Sequence, residues 1–127
     1  IVGNDTASYY LEKSNITSVL HLIPEYLKIV RHETRRAALT EITEFLKRQH
    51  LVAAEVNWGI LNKQEGFDLH LVLLYGVDKT GFILHDPGLP PLKARRVSFD
   101  EFDRCFNFEG ANGGIVVFRG LKRERNL

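Results

Sequence analysis

Nothing in the sequence constrains the fold more than LHLVLLYGV, residues 69–77, where apolar side chains fall on both alternating faces. A strand with one wet face alternates polar and apolar, so this run reads as a central strand covered on both sides. Asp78-Lys79-Thr80-Gly81 follows with turn chemistry, and Phe82–His85 returns as an apolar partner. The segment is therefore read as a β-hairpin. It carries His70 at the head of one strand and Asp86 at the end of the other.

Register decides whether those two residues meet. With a two- or four-residue loop in an ideal hairpin, Asp86 lies opposite Leu73, and His70 and Asp86 face opposite sides of the sheet. A three- or five-residue loop, or a bulge, brings them to one face. Gly81 beside Asp78 suits a bulge led by a left-handed glycine. The spacing permits a pair without requiring one.

The rest of the chain supplies layers for the sheet. Residues 1–14 are largely polar around Tyr9, Tyr10 and Leu11 and read as a loosely structured lead-in. From Ile16 to Val30 apolar residues are dense, and Pro24 divides a short element from a helix over 24–32. Ala38, Leu39, Ile42, Phe45 and Leu46 make one apolar helical stripe. Lys47, Arg48 and His50 complement the negative end of that helix. Leu51–Trp58 changes period to a strand, and 60–68 is a connection. Pro87, Gly88, Pro90 and Pro91 predict a rigid loop. Ser98-Phe99-Asp100-Glu101 has capping-box spacing, so a short helix starts at Ser98 with Phe99, Phe102 and Phe106 turned inward. Beyond the glycine-rich 110–114, Ile115–Phe118 is a final strand, and LKRERNL a frayed tail. Helices ahead of a mostly antiparallel sheet make an α+β domain.

Composition removes several function classes. One domain of 127 residues is expected, large enough for a core. Seventeen Lys and Arg against 16 Asp and Glu leave +1, which supplies no field for nucleic acid or an anionic membrane. No apolar run approaches the ~20 residues of a membrane span, and the first residues do not read as a signal peptide. A soluble protein is expected, with the cytoplasm the favoured compartment. Cys105 is the sole cysteine, which excludes an internal disulfide and multi-cysteine metal sites. The Asn4-Asp5-Thr6 and Asn15-Ile16-Thr17 triplets carry no weight without secretion. The absence of methionine and the start at Ile1 suggest a processed product or a piece of a longer polypeptide.

Among chemical groups, His70 and Asp86 are the candidates. A carboxylate beside an imidazole fixes the ring tautomer and supports its protonated form, as a general base requires. The bland alternative is a buried, hydrogen-bonded histidine and a turn aspartate before proline. A metal at His70, His85 and Asp86 is disfavoured, because neighbours in a strand point to opposite faces. No cofactor is expected: GxGxxG and P-loop patterns are absent. Cys105, between Phe102 and Phe106, reads as a small buried hydrophobe rather than a nucleophile.

The segments ITEFLKRQHLVAAEVNWGIL, EGFDLHLVLLYGVDKTGFILHDPG and RRVSFDEFDRCF together resemble the papain-like cysteine peptidases of the bacteriocin-processing, double-glycine leader type and their bacterial relatives. The resemblance spans 38–118 and rests on His70, Gly76-Val77-Asp78, Asp86-Pro87-Gly88 and the Val97–Phe102 step into a helix. Gly66 stands four residues before His70 rather than next to it, a departure from the family pattern. The resemblance implies a papain-like fold with His70 as general base and acid and Asp86 as its orienting carboxylate. It also implies a nucleophilic Cys with a preceding Gln on an earlier helix, and residues 1–37 contain neither. On this reading 1–127 is the C-terminal portion of a peptidase domain: 1–37 leading helices, 38–118 the family-like core, 119–127 a basic tail. Alone it is expected to be inactive. The implied partners are a peptide or protein substrate, and its own missing N-terminal part or another copy. The alternatives are a non-catalytic peptide-binding domain of the same fold and a plain structural domain.

Overall fold

A computed structural model describes residues 5–88 and 90–119 of the chain. The expected frayed tail, residues 121–127, lies outside the described residues. Five strands form one antiparallel sheet: β1 Leu51–Asn57, β2 Leu69–Val77, β3 Gly81–Asp86, β4 Leu92–Ser98 and β5 Ile115–Phe118. Their spatial order is β4-β3-β2-β1-β5, which puts β2 in the middle. Helices α1 Thr6–Lys13, α2 Ile23–Ile29, α3 Leu39–Lys47, α4 Trp58–Leu61 and α5 Phe99–Phe106 complete an α+β architecture, with a 3₁₀ segment at Ile16–Leu22.

Residues paired across neighbouring strands share a face, so the register sorts the side chains into two layers. Val52, Ala54 and Val56 of β1 pair with Val117, Leu74, Val72 and His70. Across β3 that face continues through Leu84 and Phe82 to Arg95 and Val97 of β4. Ile42 and Leu46 of α3, and Phe102, Cys105 and Phe106 of α5, cover it to make the core. The ring of Phe82 meets Phe102 edge-on at 4.9 Å. Helix α5 is started by the box foreseen in the sequence: the Ser98 hydroxyl accepts the Glu101 N–H at 3.1 Å and Glu101 Oε2 accepts the Ser98 N–H at 3.0 Å.

Four readings need correction. Residues 6–13 are helix rather than loose lead-in, because Asp5 caps the Ser8 N–H at 3.0 Å and Tyr9 and Tyr10 hydrogen-bond to Asp68 and Glu55. The 60–68 connection starts as part of a helical turn, Trp58–Leu61, capped by the Asn57 side chain. LKARRVS is a strand that charge had hidden. It lies at the sheet edge, where Lys and Arg discourage further strand pairing. Finally, β2 is fully covered on the core face only, and Leu71 on the outer face is 54% exposed. Among the described residues no helix is long and apolar enough to cross a membrane.

Candidate active site: a histidine on a buried aspartate

The hairpin loop closes through its own side chain. Asp78 Oδ1 accepts the Thr80 N–H at 2.8 Å and the Gly81 N–H at 3.2 Å, and Oδ2 receives Arg96 Nη1 at 2.5 Å. These bonds hold the Asp78 carboxyl well below the usual carboxylate range. Val77 pairs with Phe82 and the Asp78 N–H reaches the Gly81 carbonyl, so only Lys79 and Thr80 form the loop. Continued ideally, this register would put Asp86 opposite Leu73 and turn it from His70.

A bulge in β2 changes the outcome. Gly76 pairs with Ile83 but Leu74 pairs with Leu84, leaving Tyr75 as the extra residue. Below the bulge Leu73 pairs with His85, which puts Asp86 level with Val72 and on the face of His70. Tyr75 is held on the other face by stacking on His85 at 4.2 Å. The bulge is thus not the one that Gly81 suggested. Gly81 serves a close approach instead: a Cβ there would stand 2.0 Å from the Val97 carbonyl oxygen.

His70 and Asp86 come together. His70 Nε2 lies 2.6 Å from Asp86 Oδ1, and the same oxygen accepts the Gly88 N–H at 2.9 Å. The carboxylate is buried at 2% side-chain exposure, whereas the ring is 26% exposed. Arg95 Nη1 stands 3.8 Å from Asp86 Oδ2, and its guanidinium is anchored to Asn62 Oδ1 at 2.7 Å and the Leu61 carbonyl at 2.8 Å. Gly88 sits against the pair: a Cβ there would lie 3.0 Å from Asp86 Oδ1 and 3.2 Å from His70 Nε2. With Nε2 donating to Asp86, Nδ1 carries the lone pair. Nδ1 has no hydrogen-bond partner among the described residues. The arrangement is an imidazole oriented through Nε2 on a partly exposed ring, the geometry of a general base.

The other candidates stay apart. His85 is on the opposite face, with Nδ1 accepting the Ala94 N–H at 3.1 Å. Cys105 is fully buried in α5, its thiol turned to the Phe102 carbonyl at 3.3 Å, and burial pushes it up to about 12. A thiol held neutral in this way is no nucleophile. No cluster of three or more His, Cys, Asp or Glu side chains able to hold a metal occurs among the described residues.

Sequence reasoning missed Arg95 and the part played by Gly88. Arg95 lies in the strand that charge concealed, whereas Gly88 was visible in Asp86-Pro87-Gly88. The chain matches no family model, no curated protein and no solved structure.

Proposed function

We propose that this chain carries the His and Asp of a Cys-His-Asp site on a papain-like fold of the bacteriocin-processing type, acting in acyl transfer on a peptide or amide. The observation that supports it most is the 2.6 Å contact from His70 Nε2 to a buried Asp86, on a ring that is itself 26% exposed. In this reading Nδ1 takes the proton of a thiol as sulfur attacks the carbonyl carbon. The same nitrogen returns that proton to the amine as the C–N bond breaks, and water then hydrolyses the thioester. Asp86 holds the ring throughout, and Arg95 and the Gly88 N–H hold Asp86.

The sulfur must come from outside these 127 residues, since Cys105 is their sole cysteine and is buried. That same fact favours the second reading, a peptide-binding domain that keeps the cleft without cleavage. The test is to express the chain together with whatever its gene encodes ahead of Ile1 and to label with iodoacetamide. The catalytic reading expects one cysteine alkylated near neutral pH, at a rate cut on the order of 10-fold or more by His70→Ala. No such cysteine, or one whose rate ignores His70, sinks the peptidase and leaves the binding domain.

A further inference from the structure

The chain has two uncovered apolar surfaces. The first is the arm made by the 3₁₀ segment and α2, neither of which buries a single residue. Seven large apolar side chains between Val19 and Ile29 are at least 44% exposed, Ile29 reaching 82%. The two arm elements pack chiefly on each other. The arm's charged pair is satisfied internally, Lys28 Nζ to Glu25 Oε1 at 2.8 Å. Irregular chain follows it, and the body is regained where the Arg35 guanidinium meets the Glu41 carboxylate of α3 at 2.7 Å, Arg36 Nη1 reaches the Ala111 carbonyl at 2.8 Å and the Ala37 N–H the Gly113 carbonyl at 2.9 Å.

The second surface is the outer face of the sheet. Leu51 pairs with Phe118, Ala53 with Val116 and Glu55 with Leu71, so these side chains share that face. Leu51, Leu71, Val116 and Phe118 are all at least 40% exposed. Between this face and α1 runs a cleft of about 590 Å³, lined by Leu11, Ile16, Ala53, Leu71, Ile115 and Val116.

We propose that the protein is a two-fold dimer in which the arm of each copy, residues 16–29, lies along the outer sheet face and cleft of the other. Size carries the argument. At on the order of 70 Å² apiece, the seven arm and four sheet side chains leave roughly 800 Å² of apolar surface per copy. Summed over the two surfaces, that is close to the ~800 Å² that each partner gives to a stable interface. A reciprocal contact covers both surfaces at once and closes, as an isologous interface must. The proposal does not depend on the His70–Asp86 reading, because that pair lies on the opposite face of the sheet.

Sedimentation velocity on the 127-residue chain at about 50 µM, where an obligate dimer stays associated, tests it. The expected result is a dimer. Leu22→Glu with Leu27→Glu in the arm, and separately Leu71→Glu on the sheet, each raise the dissociation constant on the order of 100-fold. Far-UV circular dichroism should be unchanged in each variant, since none of these residues is buried. Should Leu71→Glu fail to fold, Val116→Lys makes the same test of the sheet face. A monomeric parent overturns the proposal, as does a dimer that survives the arm variant. Loss of the dimer in the arm variant alone also overturns it, because the arms would then be meeting each other rather than the sheet.

Discussion

Asp86 illustrates how one side chain can depend on several neighbours. Its Oδ1 receives both His70 Nε2 and the Gly88 N–H, and Oδ2 faces Arg95. Replacing it with alanine leaves the backbone N–H and part of the guanidinium without an acceptor in a buried place, which costs about 2 kcal/mol. The more specific consequence is at the ring. A proton held between Nε2 and a buried carboxylate at 2.6 Å is shielded from exchange. Proton NMR of the parent chain is expected to show it as a downfield, slowly exchanging resonance that is lost in Asp86→Ala. Urea titration measures the stability change on the same samples. If that resonance is missing from the parent, or survives the substitution, the ring is oriented by something other than Asp86. At this scale the sequence named both partners, since a histidine heading a strand and an aspartate before proline are visible as letters. The guanidinium behind them was not, because Arg95 looks like any other surface cation until β4 brings it beside Asp86.

Strand and helix boundaries were legible where a side chain bonds its own neighbourhood and obscure where partners are distant. The capping box at Ser98 and the Asp78 turn are both closed within four residues, and both appear as read. The bulge at Tyr75 has no such local bond, and its one signal is Gly76, a glycine inside a strand. Strand β4 was missed because edge strands are selected for charge as well as for pairing. The locally bonded elements also set the response to acid. Glu101 lies below its ordinary 4.5, chiefly because its carboxylate accepts the Ser98 N–H, and Asp78 lies below its ordinary 3.8. Both are therefore harder to protonate when folded. Their stabilisation is complete above the ordinary carboxylate range and is lost as pH falls through that range and below it. Two substitutions separate the parts of the box. Ser98→Ala removes the hydroxyl acceptor and costs about 1 kcal/mol near neutral pH, while Glu101 keeps its backbone bond. Glu101→Gln instead makes the acid limb shallower. Urea midpoints collected between neutrality and acid check both, and an acid limb unchanged in Glu101→Gln would mean the carboxylate is not bonded when folded.

For the molecule as a whole, the sequence showed that helices precede an antiparallel sheet, but not which sheet face they cover. Helices α3 and α5 take one face, whereas on the other Leu69 packs with Phe108, Ala111 and the α1 tyrosines while Leu71 of the same strand is 54% exposed. Burial is consequently concentrated in one layer, and Cys105 sits within it as a natural reporter. Its thiol is fully buried beside Phe102 and Phe106, so a thiol reagent reaches it only when that layer opens. Labelling by a disulfide reagent near pH 8 should be slower in the folded chain than in urea by on the order of 10³ or more, the scale set by domain stability. Alkali should act through the same group. Because burial pushes the folded thiol from 9.0 up to about 12, the unfolded chain loses its proton first. The stabilisation from the neutral thiol is complete below about pH 9 and disappears as pH rises from there to about 12. Tyr9 and Tyr10, raised chiefly by the Asp68 bond and by burial respectively, add to the same alkaline loss. Cys105→Ala removes the thiol's share, so its stability should decline less steeply above pH 9 than that of the parent. Rapid labelling without denaturant would mean instead that α5 detaches from the sheet on its own, well before the remaining core opens.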